Sequence, residues 1–159
     1  MLSVILSACV LVAATVAVHA AGLAVLLRCF IRLDALPPTR VWPIARMLLR
    51  TVWWLFLLHL AEISVWGVFY LWRGCLPNAE TAFYFSGATY TTIGYGDVVL
   101  SKPWRLLGPI EGLTGILMCA LSTGYFFVVV SHIHQSRPAN AAPSSTAENS
   151  QPREKSGHE

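Results

Sequence analysis

The sequence predicts an all-α integral membrane protein with three spanning helices and one shorter helix that enters the membrane and turns back. Of the 159 residues, 55% are hydrophobic and only 12% are charged, and the apolar residues are gathered in long blocks. Three blocks are long enough to cross a hydrocarbon core of about 30 Å. A fourth segment is too short to span and leads into a glycine-containing string, as in a re-entrant loop.

The first spanning helix is predicted over residues 1–27, where His19 alone interrupts an apolar run from Leu2 to Leu27. A cleaved signal peptide is the alternative, because Val18-His19-Ala20 resembles a small-residue cleavage site. No Lys or Arg precedes the run, which favours a retained helix. Small residues that suit close helix contact in lipid recur along it. They are Ala13, Ala17, Ala20, Ala21 and Ala24.

Residues 28–51 form a basic connector that contains five arginines and a single acidic residue, Asp34. Pro37-Pro38 is expected to stop any helix within it. Short basic loops stay on the cytoplasmic side of a membrane, so we expect the N-terminus outside and the C-terminus in the cytoplasm. The net charge of +3 is too small to argue for a nucleic-acid partner. The arginines are Arg28, Arg32, Arg40, Arg46 and Arg50.

The second spanning helix is predicted from about Val52 to Trp72, with aromatic residues gathered towards its two ends as in interfacial belts. A shorter helix should follow from Ala79 to about Tyr90. Asn78 is its candidate N-cap, and Glu80 lies in its first turn, where a carboxylate is favourable. This helix is too short to span, so the backbone after it must be buried in protein or line water.

The third spanning helix is predicted from about Leu106 to Ser131, with Pro109 tolerated in its first turn. Residues 135–159 consist mainly of Pro, Ala, Ser, Asn and mixed charges, which predicts a disordered cytoplasmic tail. The four cysteines are scattered along the chain, so no disulfide framework is expected. A bridge between two copies through Cys75 stays open.

A seven-residue string, Thr91-Thr92-Ile93-Gly94-Tyr95-Gly96-Asp97, separates the short helix from the third spanning helix. Backbone carbonyls can replace the water shell of a potassium ion. Successive carbonyls point at one axis only if alternate residues take unusual dihedrals, which Gly94 and Gly96 permit. A glycine-rich surface turn is the alternative. The string resembles the selectivity-filter signature of the potassium channel family, most closely its small bacterial pore-only members, here with an extra N-terminal helix.

The resemblance spans roughly Met47 to His134 and implies a pore domain over residues 52–134, with an outer helix, a pore helix, the filter and an inner helix. Because each chain carries one filter string, four chains would be needed to close a ring, so a homotetramer in the cell membrane is expected. The resemblance implies ion binding by the carbonyls of Thr92, Ile93, Gly94 and Tyr95. It implies filter support by Thr91, Gly96, Asp97, Tyr84 and Phe85.

Two features of the family are missing. Ala88 stands where some relatives carry a carboxylate that pairs with the filter aspartate, so the stability of the filter cannot be carried over from them. The arginines lie at helix ends rather than at every third position of one helix, which argues against a voltage sensor. K+ is expected as the permeant ion, with no cofactor, no other metal and no small-molecule substrate.

Four residues are candidates for gating: His59, Glu62, Glu111 and Gly115. His59 and Glu62 lie one turn apart in the second helix, where an ionised group costs about 2.5–3.5 kcal/mol. A neutral hydrogen-bonded clasp and a proton-sensitive element both stay open. Glu111 either pairs with a donor such as Arg105 or tunes the filter electrostatically. Gly115 is a hinge candidate, although glycine in membrane helices also serves packing.

Passive, K+-selective conduction is the function that the resemblance implies. A weakly selective cation pore with the same Gly-Tyr-Gly filter and a non-conducting accessory subunit are the alternatives. An enzyme is not expected, because neither a His-Glu-x-x-His string nor a Gly-x-Ser-x-Gly elbow is present. His132 and His134 supply too few ligands for a metal site.

Overall fold

Four α-helices build the part of the protein that the structure describes. The computed structural model describes residues 1–33 and 41–135. Its helices are α1 (Leu2–Leu33), α2 (Val41–Trp72), α3 (Ala79–Tyr90) and α4 (Leu107–Gln135). All but α3 contain a stretch long and apolar enough to cross a membrane. The predicted all-α membrane fold, with three spanning helices and one short helix, is therefore confirmed.

The helices on either side of the basic connector are longer than the sequence predicts. α1 continues past Leu27 to Leu33, and α2 begins at Val41 rather than Val52. Arginine has a high helix propensity. Pro43 lies in the first turn of α2, where backbone N–H groups have no acceptor within the helix, so a proline there costs no hydrogen bond. The predicted connector over 28–51 therefore contains the end of one helix and the start of the next.

Three further expectations concern the end of the chain and the middle of the connector. α4 extends to Gln135, beyond the predicted end at Ser131. The disordered tail is predicted over 135–159, but its first residue, Gln135, belongs to α4. The rest of that tail and the predicted break at Pro37-Pro38 lie outside the described residues. So do the side chains of His132 and His134, whose backbone belongs to the last turns of α4.

α3 begins and ends where the sequence predicts. Asn78 has an extended backbone with φ of −151°, and its side-chain oxygen accepts a hydrogen bond from the Thr81 N–H at 2.8 Å. This cap satisfies one of the N–H groups that the first turn leaves without a helical partner. Glu80 lies in the same turn, where its charge complements the positive end of the helix dipole.

α1 packs antiparallel against α2, which places its N-terminal end beside the start of α3. The register is visible in three contacts whose positions fall along α1 as they rise along α2. They are Trp54 Nε1 to the Gly22 carbonyl at 3.3 Å, His19 Nδ1 to Glu62 Oε1 at 2.7 Å, and Trp66 Nε1 to Thr15 Oγ1 at 3.0 Å. Met1 and Trp72 therefore lie at the same end of the bundle.

The core lies where α3 is held between α2 and α4. Tyr70 of α2 is completely buried and meets Phe85 of α3 edge-on, with ring centroids 5.3 Å apart. Leu107, the first residue of α4, is also completely buried, as is Trp66. Burying aromatic rings of this size fixes α3 firmly, so the backbone that leaves its C-terminal end begins from a defined position.

Candidate functional site

The string from Thr91 to Asp97 follows α3 as non-helical backbone in which the sign of φ alternates from residue to residue. φ is +61° at Thr92, +53° at Gly94 and +80° at Gly96. Among the described residues Thr92 is the only non-glycine residue with positive φ, a conformation that costs roughly 1–2 kcal/mol. In an ordinary extended strand successive carbonyls point to opposite sides. When φ is positive at every second residue, the backbone carbonyls can turn towards a common side.

Hydrogen bonds to the last turns of α3 hold the start of the string. The donors are groups of Thr91, Thr92 and Gly94, and the acceptors are backbone carbonyls of α3. The bonds are Thr91 N–H to Gly87 O at 3.1 Å, Thr91 Oγ1 to Gly87 O at 2.6 Å, Thr92 N–H to Thr89 O at 2.9 Å and Gly94 N–H to Ala88 O at 3.0 Å. The string therefore turns sharply back at the helix end before it extends.

Tyr84 braces the far end of the string. Its hydroxyl donates to Asp97 Oδ2 at 2.7 Å, and its ring stacks on Tyr95 with centroids 6.5 Å apart and planes within 5°. The hydrogen bond to Asp97 raises the pKa of the Tyr84 phenol, so it keeps its proton. Phe85, the other aromatic residue expected to support the string, belongs to the apolar core and lines a cavity shared with Gly94 and Tyr95, so its supporting role stays a prediction.

Removing the Tyr84 hydroxyl should loosen the Asp97 end of the string. In Tyr84→Phe the ring still stacks on Tyr95, but Asp97 loses its phenol donor, so we expect faster amide exchange over residues 94–98. Hydrogen–deuterium exchange measures this directly. Because the pKa of Tyr84 is raised, the hydrogen bond is fully present below the ordinary value of 10.0 and is lost only as the pH rises through the raised value.

Tyr125→Phe is the matched control, because it removes a hydroxyl from α4 and leaves the contact between Tyr84 and Asp97 in place. Its exchange over residues 94–98 should equal that of the original chain. Equal exchange in Tyr84→Phe and in the original chain would show that the hydrogen bond does not hold the string.

Glu111 is completely buried behind α3 and has different partners from those expected. Its carboxylate accepts a hydrogen bond from the Tyr70 hydroxyl at 2.7 Å and another from the Ser86 hydroxyl at 2.5 Å. Among the described residues no ion pair joins Glu111 to Arg105, so its donors are these two hydroxyl groups, and electrostatic tuning of the filter by Glu111 stays a prediction. Neutral hydroxyl donors satisfy the carboxylate, and the contact ties α4 to α2 and α3.

Glu62 lies at the centre of a cluster to which all four helices contribute. Its side chain is completely buried and contacts His19 Nδ1 at 2.7 Å and His59 Nδ1 at 3.3 Å. The Tyr90 hydroxyl donates to the same carboxylate. His59 Nε2 lies 3.1 Å from the Ser122 hydroxyl on α4. We call these five residues the Glu62 cluster.

The sequence predicts that His59 and Glu62 lie together but does not place the other three members beside them. His19 interrupts an apolar run, and a histidine at membrane depth is itself a signal of function. Tyr90 and Ser122 have no such signal, because both residue types are common in membrane helices. Tyr90 is the last residue of α3, so the cluster reaches the point where the string begins.

Gly115 allows α4 to approach the end of α3 closely. A Cβ atom there would lie 2.0 Å from the Tyr90 carbonyl oxygen. This contact gives Gly115 a packing role, and α4 is a continuous helix through this position. The proposed hinge at Gly115 stays a prediction, and Gly115→Ala cannot test it because the added methyl group would disturb the packing in any case.

Comparison with known proteins identifies the segment that carries the string. Residues 56–132 match the family model described as ion channel, from the middle of α2 to the last turns of α4. Over 68 residues the chain is 41% identical to the voltage-gated potassium channel Kch of Escherichia coli (strain K12). The aligned segment is 40% of this chain but only 16% of Kch. No solved structure matches the chain.

Proposed function

Because this multi-pass membrane protein is a small member of the potassium channel family, we propose that it conducts K+ selectively through a pore formed by four copies. The observation that carries the proposal is the positive φ at Thr92, Gly94 and Gly96. The carbonyls of Thr92, Ile93, Gly94 and Tyr95 would form the coordinating rings. K+ would exchange its water shell for these oxygens and cross passively down its gradient.

The exposure of the string supports an assembly. Every residue from Thr91 to Asp97 is exposed in the single chain, and the Ile93 and Tyr95 side chains are 56% and 70% exposed. Non-helical backbone at membrane depth is tolerated only where it is covered by protein or lines water. Neighbouring copies would cover the Ile93 and Tyr95 side chains, while the carbonyl side would line the path.

The electrostatics of α3 favour a cation. Its C-terminal end at Tyr90 precedes the string directly, and this end of a helix carries partial negative charge equivalent to roughly half an elementary charge. Four such ends would converge in the proposed tetramer. Glu62 and Glu111 are buried, and both carboxylates are held by hydrogen bonds within the chain. The carbonyls and helix ends, rather than these carboxylates, would therefore attract the ion.

The orientation of the pore follows from the charge of the chain. The string's Asp97 end lies towards the Met1 end of the bundle, opposite the arginine-rich ends of α1 and α2. The positive-inside rule retains those arginines in the cytoplasm. In the cell membrane, Asp97 and the N-terminus would therefore face outside, and the C-terminus would lie in the cytoplasm.

Flux from the purified chain in liposomes tests the proposal. K+-loaded liposomes should release K+ when a parallel pathway balances the charge, and Na+-loaded liposomes should release far less. Equal release of both ions would indicate the weakly selective alternative. Absence of both fluxes from oligomeric, folded protein would indicate an accessory subunit. Either of these results would contradict the proposed function, and protein-free liposomes supply the baseline.

A further inference from the structure

We propose that His19, His59 and Glu62 form a binding site for a divalent transition-metal ion such as Zn²⁺ or Co²⁺. The three residues come from α1 and α2, and one potential ligand atom of each lies within 4.8 Å of those of the others. The site is separate from the string and does not depend on the conduction of K+. A metal can therefore be tested for binding whether or not the proposed pore conducts.

The distances suit a first-row ion. Bonds of about 2.0–2.2 Å to nitrogen and oxygen place neighbouring ligand atoms of a tetrahedral site roughly 3.3 Å apart. His59 Nδ1 already lies 3.3 Å from Glu62 Oε2, and His19 Nδ1 lies 2.7 Å from Glu62 Oε1. Small side-chain movements, without a change in the helices, would open a space for the ion between them.

The ligand chemistry also fits. Imidazole nitrogen suits Zn, Cu, Fe and Ni ions, whereas an all-oxygen set would favour Mg²⁺ or Ca²⁺. Two histidines and one carboxylate make a recurrent set of three protein ligands for Zn²⁺, with a fourth position open to an oxygen. The Tyr90 hydroxyl, which contacts both Glu62 and His59, lies close enough to supply that oxygen.

Outer contacts orient the proposed ligands. Histidines that bind metals commonly use one ring nitrogen for the ion and the other for a hydrogen bond, which fixes the ring. His59 has this arrangement, because Nδ1 faces Glu62 and Nε2 contacts the Ser122 hydroxyl at 3.1 Å. The side chain of His59 is 20% exposed, so the site is not sealed on every side.

His19 is the more deeply buried of the two histidines. Its side chain is only 2% exposed, and among the described residues its Nε2 atom has no hydrogen-bond partner. Buried polar atoms are nearly always satisfied, so one that is not calls for an explanation. Because Nδ1 is the atom that contacts Glu62, Nδ1 is the proposed ligand atom of His19, and Nε2 would carry the ring proton.

An ion at this site would add a direct link between parts of the molecule that already meet through apolar packing and hydrogen bonds. His19 belongs to α1, which lies outside the segment matched to ion channels, and Glu62 and His59 belong to the matched segment. Tyr90 connects the site to the end of α3 and so to the start of the string. Binding should therefore fasten α1 to the pore domain and raise the thermal stability of the protein.

The test is a titration of the purified, full-length oligomer with Co²⁺ after removal of metals by a chelator. We expect one Co²⁺ per chain, with the visible absorption of a four- or five-coordinate ion, and a melting temperature that rises with Co²⁺ or Zn²⁺. His19→Gln and Glu62→Gln should lose this absorption. Ser122→Ala keeps all three ligands and should weaken binding about 10- to 100-fold.

His132→Gln/His134→Gln is the matched control, because it removes the other histidine pair of the membrane domain and should leave binding unchanged. Absence of Co²⁺ binding to the original chain would overturn the proposal. So would binding that survives in His19→Gln, or that disappears in the His132/His134 control. If His19→Gln and Glu62→Gln fail to fold, an unchanged affinity in Ser122→Ala would also overturn it.

Discussion

Gly94→Ala is expected to reduce K+ flux through the proposed pore sharply while leaving the proposed tetramer assembled. Gly94 has φ of +53°, and an alanine in that conformation is strained by roughly 1–2 kcal/mol. The strain would be repeated in each of the four chains of the proposed tetramer. The backbone can relieve it by turning its carbonyls away from the common side. Since about 1.4 kcal/mol already corresponds to a factor of 10 in rate, the liposome flux should fall more than about 10-fold.

Gly124→Ala is the matched control for this experiment. Gly124 lies within α4, and a Cβ atom there would meet no atom of the described residues within 4 Å. Its flux should equal that of the original chain, and both variants should run as the same oligomer on a sizing column. A Gly94→Ala variant that conducts K+ at the original rate would refute the role given to the alternating backbone.

Gly115→Ala should be the most destabilising of the alanine substitutions along α4. The new Cβ would lie 2.0 Å from the Tyr90 carbonyl oxygen and 2.9 Å from its carbonyl carbon. Both are backbone atoms at the end of α3, so no side-chain rotation relieves the overlap, and α4 must move away. Overpacking of this kind costs about 1–3 kcal/mol and occasionally more. Thermal unfolding of the purified protein in detergent measures the loss.

The other glycines of α4 turn this prediction into a graded series. A Cβ at Gly112 would lie 3.3 Å from the Thr89 carbonyl oxygen, a mild contact, and one at Gly124 would meet nothing. The melting temperature should therefore fall most for Gly115→Ala, less for Gly112→Ala and least for Gly124→Ala. Equal melting temperatures across the series would show that α3 and α4 do not approach each other as described.

Features that depend on neighbouring residues in the sequence could be predicted. α3 begins after Asn78 because the cap is a local hydrogen bond to Thr81. It ends at Tyr90, just before the positive φ values at Thr92 and Gly94, which a right-handed helix does not contain. The alternation at Gly94 and Gly96 follows from the same local reasoning, since only glycine adopts positive φ without strain. Thr92 adopts it as well, which composition alone does not reveal.

Features that depend on distant residues could not be predicted. Tyr70 and Ser86, which hold Glu111, lie 41 and 25 positions from it along the chain, whereas local spacing suggests a nearby donor such as Arg105. His19 and Glu62 lie 43 positions apart, so their contact needed the antiparallel register of α1 and α2. Local patterns place a helix but not the side chains that meet it.

The central claim is that four copies of the string from Thr92 to Tyr95 face one axis and coordinate K+ with their carbonyls. A cryo-electron-microscopy map of the purified protein in K+ would show whether they do. We expect a fourfold particle with a column of ion density between these carbonyls. A particle without fourfold symmetry, or one whose carbonyls turn away from the axis and leave no path, would contradict it.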